Sequence, residues 1–134
     1  MRTLIVLICL YSFPLFSQSA KKCFKKCVSV EQSSDVKNVN CYLDEDDLSF
    51  QISFNCNDET WERIVEHYNL NSISNDSYSD GHLPIWEEYE WWNHDTLKKI
   101  EIKYVTPRKG TGGYYTHFWH DEEDSIVYVG RIIL

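Results

Sequence analysis

The stretch Ser125 to Leu134, SIVYVGRIIL, constrains the fold more than any other. It is apolar at both odd and even positions, with Arg131 the one charge. A strand apolar on both faces sits inside a sheet or is covered on both sides. The segment therefore predicts a central strand, with Gly130 marking a bulge or a close backbone contact. Upstream, Tyr114 to His120 reads as its neighbour across a charged turn, Asp121 to Asp124.

The same logic extends backward. Leu97 to Val105, LKKIEIKYV, sets Ile100, Ile102 and Tyr104 against Lys99, Glu101 and Lys103. That alternation predicts a half-solvated strand. Ile85 to Trp92, IWEEYEWW, alternates from Glu88 onward, and Asn93 to Thr96 makes a polar break. The two segments read as a hairpin in which Glu88 and Glu90 can face Lys99 and Lys103. Thr106 to Gly113, with one proline and three glycines, is a loop.

In the first half, Leu48, Phe50, Ile52, Phe54 and Cys56 alternate with polar residues and give the cleanest strand pattern. Val39, Cys41 and Leu43 suggest a shorter partner strand that brings Cys41 near Phe50. Trp61, Ile64, Val65 and Tyr68 fall at helical spacing, so Asp58 to Asn69 is a helix. Asn57 is its N-cap, and Cys56 with Trp61 can form a hydrophobic staple. Leu70 to Leu83 is a long polar connection containing a glycosylation sequon at Asn75. The expected fold class is α+β: one helix packed on a curved antiparallel sheet of about five or six strands, in the order β(β)αββββ. Such a topology is similar to cystatin-like or cone-shaped folds, a likeness that carries no function.

The chain opens MRTLIVLICLYSFPLFSQSA, a short basic start, an apolar run and small residues. This predicts a signal peptide over residues 1–19 and one disulfide-linked domain over 20–134, secreted or periplasmic. Without Arg2, twelve basic residues face twenty-one acidic ones, a net charge of −9. Four of the lysines lie between Lys21 and Lys26, which leaves the remainder more acidic still. Such a surface disfavours nucleic acid and anionic membranes and favours a cationic partner. Cys23, Cys27, Cys41 and Cys56 remain after the signal, an even count that reads as two disulfides. Their spacing is not a zinc-finger pattern. Cys41 and Cys56 lie too far apart to bridge, so each is expected to pair with one of Cys23 and Cys27.

No nucleophile motif is present. His117 and His120 point to opposite faces if they lie on a strand, which separates them as ligands. The acidic runs at 44–47 and 121–124 lack the spacing of a calcium loop. These residues imply no cofactor and no metal, and a protein that is not an enzyme. The informative cluster is Trp86, Tyr89, Trp91, Trp92 and Trp119 with Glu88 and Glu90: aromatics with an acidic rim, suited to binding. The expected function is a non-enzymatic protein-binding module, an inhibitor or immunity-type protein acting on a basic partner. The alternative is a small carrier enclosing a hydrophobic ligand.

Overall fold

The computed structural model describes residues 19–44, 49–72, 86–100, 102–105 and 115–132, with the backbone alone at 71–72, 102–105, 115 and 132. The signal segment (apart from Ser19), the sequon at Asn75 and the glycine-rich loop lie outside the described residues.

The first helix, α1, covers residues 19–28. Phe24 and Val28 recur at i and i+4 and are fully buried with Cys27, while Lys21, Lys22, Lys25 and Lys26 are exposed. This is an amphipathic helix where the sequence suggested only a basic arm. It ends at Ser29, whose φ of 57° turns the chain, with Ser29 N–H donating to Lys25 O at 3.0 Å.

Strand β1, Lys37–Leu43, and strand β2, Phe50–Asn55, form an antiparallel pair. Asp44 N–H donates to Ser49 O at 2.9 Å and fixes the register. Leu43 faces Phe50 and Cys41 faces Ile52, which moves Cys41 two residues from its expected position beside Phe50. Helix α2, Asp58–Tyr68, follows as expected, with Asn57 accepting from Thr60 N–H at 2.9 Å and Asn69 closing it in the left-handed conformation. Cys56 and Trp61 belong to one apolar cluster, as a staple requires.

Strand β3, Asn71–Ser72, is two residues long. Helix α3, His94–Lys99, then precedes β4, Ile102–Val105. Two expectations are corrected here. Trp86 to Trp92 is not a strand: Tyr89 and Trp92 exchange both backbone hydrogen bonds at 3.0 Å, closing a tight reverse turn. Leu97 to Lys99 is helical, because Asn93 caps the turn by accepting from Thr96 N–H at 3.1 Å and Asp95 and Lys98 sit at the ends the helix dipole favours. With Lys99 in a helix, the proposed pairing of Glu88 and Glu90 with Lys99 and Lys103 does not form; Lys103 faces Trp119.

Strands β5, Tyr115–Asp121, and β6, Ile126–Ile132, complete one antiparallel sheet in the order β1-β2-β6-β5-β4-β3. The class is α+β, with three helices among the described residues in place of the one expected. Strand β6 lies between β2 and β5, the central place its apolar sequence demanded.

Its alternation builds two cores. Val127 and Val129 face Phe50, Ile52, Phe54, Phe118, α1 and α2. Tyr128 faces Trp86, Trp92, Leu97, Ile100 and Trp119. Gly130 is the close contact: a Cβ there would lie 2.8 Å from the Trp86 ring. The β6 ladders keep a continuous register through it, so it is not a bulge.

Candidate binding surface

The second core decides where the expected binding residues lie. Trp92 and Trp119 are fully buried and Trp86 is 3 % exposed. Their rings meet edge to face: Trp92 with Trp119 at 5.5 Å and 87°, and Trp86 with Trp119 at 6.2 Å and 88°. Such distances are ring contacts, so these three indoles pack on one another. Three of the expected binding residues, Trp86, Trp92 and Trp119, are therefore core residues. The cause is the reverse turn, which folds Trp86 and Trp92 back onto β5 and β6.

Two anchors hold this turn. The buried Gln51 of β2 donates from Nε2 to Glu87 O at 2.8 Å and accepts from Glu87 N–H at 3.1 Å. A side-chain amide that pairs both backbone groups of one residue copies a strand ladder bond. His94 Nε2 lies 2.9 Å from Trp86 O, and its Nδ1 lies 3.3 Å from Glu88 Oε1. Sequence reasoning missed both anchors, since Gln51 faces the polar side of its strand and His94 reads as a turn residue.

With those three indoles buried, Glu88 and Glu90 are exposed, while Tyr89 and Trp91 are half-buried against the second core. Tyr89 and Trp91 stack in parallel, with centroids 4.9 Å apart and 1° between planes. Tyr42, on β1, lies 5.9 Å from Tyr89 and is 45 % exposed. Glu87, Glu88 and Glu90 are all exposed around them. Burial, and then Tyr42 and Glu87, push the Tyr89 phenol above its usual range, so it stays neutral beside the carboxylates. Tyr42 was not expected here. Its outward place in the Val39-Cys41-Leu43 alternation was readable, but its nearness to Tyr89 depends on the sheet.

The histidines of β5 do diverge. His117 stacks on Trp119 at 5.9 Å in the second core, while His120 stacks on Trp61 of α2 at 4.4 Å on the other face. His120 is 4 % exposed, its Nδ1 has no hydrogen-bond partner, and burial holds its pKa below the usual value. A catalytic pair cannot be assembled from these two rings across the sheet.

The cysteines give one disulfide, Cys23–Cys41, with Cα atoms 6.6 Å apart. Cys27 and Cys56 are buried thiols, so the expected second bridge is corrected. Cys27 Sγ lies 3.8 Å from both bonded sulfurs, beside β1 at the level of Ile52. Cys56 lies four residues further along β2, about 13 Å at strand rise. Comparison of the chain with family models, with curated proteins and with solved structures finds no match.

Proposed function

We propose that this chain is an exported, non-enzymatic protein-binding module that engages a basic partner through Tyr42, Tyr89, Trp91, Glu87, Glu88 and Glu90. The reading rests on the parallel Tyr89–Trp91 stack, half-buried against the tryptophan core with three exposed carboxylates beside it. Aromatic faces attract cationic side chains through the ring quadrupole, by about 0.5–1 kcal/mol at exposed sites. Carboxylates around the rings add charge complementarity and steer approach. An arginine or lysine seated on these rings is then held from the side by Glu88 and Glu90. The Cys23–Cys41 bridge suits an oxidising compartment, and no described helix is long and apolar enough to cross a membrane. An inhibitor or immunity-type role follows if the partner's cationic site is the one covered.

The test is a pull-down from the extracellular or periplasmic fraction of the protein's own source, at low and high salt. The bait is the oxidised chain, compared with a Trp91→Ala, Glu90→Gln variant. A basic protein retained by the first, lost from the variant and released by salt supports the reading. Equal retention by both baits overturns it. A bound apolar small molecule without a protein partner favours a carrier.

A further inference from the structure

We propose that Cys23, Cys27 and Cys41, when reduced, form a three-thiolate site for a thiophilic d10 cation of the Zn2+ class. Cys23 and Cys27 lie one turn apart on α1, and both face Cys41 of β1. Their sulfurs all lie within 4.8 Å of one another. Cys27 Sγ is 3.8 Å from Cys23 Sγ and 3.8 Å from Cys41 Sγ. A tetrahedral zinc–thiolate centre with bonds of about 2.3 Å has sulfur–sulfur edges of about 3.8 Å. Two edges of the site therefore already have the length a cation needs.

The surroundings fit the same use. Cys23 and Cys41 line an open cleft of about 510 Å3 with Lys22 and Lys26, which gives a cation a way in and a fourth position open to water. Cys27 closes the inner side, fully buried. The lysines that line the cleft offset the net negative charge of three thiolates around one divalent cation. Cys56 is the internal contrast: burial in the first core, with Asp35 and Asp58 adding to it, keeps its proton on, and it lies outside the group.

The disulfide and the cation are alternative states of the same sulfurs. A phosphine or thiol reductant supplies two electrons, two protons are taken up, and the Cys23–Cys41 bond becomes two thiols. Binding the cation then displaces one proton from each of three thiols.

The full chain, reduced with a phosphine under anaerobic conditions, is titrated with Cd2+ while the thiolate-to-cadmium ultraviolet band is followed. The band is expected to saturate at one equivalent. Cys27→Ser and Cys41→Ser should weaken binding at least about tenfold, and Cys56→Ser should leave it unchanged. Alkylation followed by peptide mass mapping provides a readout that needs no variant: cadmium should shield Cys23, Cys27 and Cys41 alone. Absence of the band, shielding of Cys9 or Cys56, or an equal loss in Cys56→Ser overturns the proposal.

Discussion

Single residues in this molecule matter where two layers nearly touch. Gly130 is required because the Trp86 ring occupies the place of a side chain. The ring belongs to a packed indole cluster and cannot swing away freely, so Gly130→Ala forces β6 and the turn apart. The expected loss is about 1–3 kcal/mol, the range for overpacking a filled core. Urea denaturation checks it, and a wild-type midpoint would show that the turn yields at no cost. Cys56 makes a second case. Burial, with Asp35 and Asp58 adding to it, pushes its thiol up to about 12. Thiolate is the reactive form, so native Cys56 should resist iodoacetamide at mildly alkaline pH and react only on unfolding. Labelling of folded protein at Cys56, read by mass mapping, would contradict this environment.

At the scale of elements, Asp35 joins the segment before β1 to the start of α2. It accepts from Asn57 N–H at 2.9 Å, from the Thr60 hydroxyl at 2.9 Å and from the Ser33 hydroxyl. Burial raises its pKa, but these hydrogen bonds outweigh burial and bring it down to about 2. A carboxylate whose folded value lies below its unfolded value stabilises the fold fully above pH ~4, and that contribution is lost as pH falls through about 2. Asp35→Asn should therefore lower stability at neutral pH and shrink the loss between pH ~4 and ~2. Chemical denaturation across that range is the check, and an unchanged acid slope would remove Asp35 from the account. The elements themselves were unevenly legible. Helix α2 and strands β1, β2, β5 and β6 carry their own periodicity, so local sequence suffices. Glu88 to Trp92 also alternates, yet its backbone turns, because Gln51, thirty-six residues away from Glu87, pairs with that turn. Helix α3 had a readable cap in Asn93, but Ile100, Ile102 and Tyr104 supplied a competing alternation that runs past its end. Helix α1 had a readable apolar spacing hidden among lysines. In the candidate surface, alternation set Tyr89 and Trp91 on one face and Glu88 and Glu90 on the other, and the turn brings the four together. The burial of Trp86, Trp92 and Trp119 was not, since alternation says which residues share a face and not what covers it.

For the whole molecule, the two cores share a single wall. Val127 and Val129 project into one core and Tyr128 into the other, so β6 is common to both. Strand β2 joins them as well, with Phe50, Ile52 and Phe54 on one side and Gln51 holding the tryptophan turn on the other. Among the described residues, losing either layer leaves the inner strand of the sheet bare on one face. The molecule should thus unfold as one unit despite its three layers. Leu97→Ala tests this at a point remote from α1 and α2: Leu97 is fully buried in the tryptophan core, and its truncation should cost about 2–5 kcal/mol. Tryptophan fluorescence reports mainly the mutated layer, while far-ultraviolet circular dichroism reports the helices on the opposite face as well. In the variant both signals should shift to a lower urea midpoint together. A fluorescence transition that moves while the helical signal stays in place would mean that the tryptophan layer opens alone. The half-buried Tyr89–Trp91 stack would then rest on a separable cap, and its affinity for a basic partner would follow the stability of that cap.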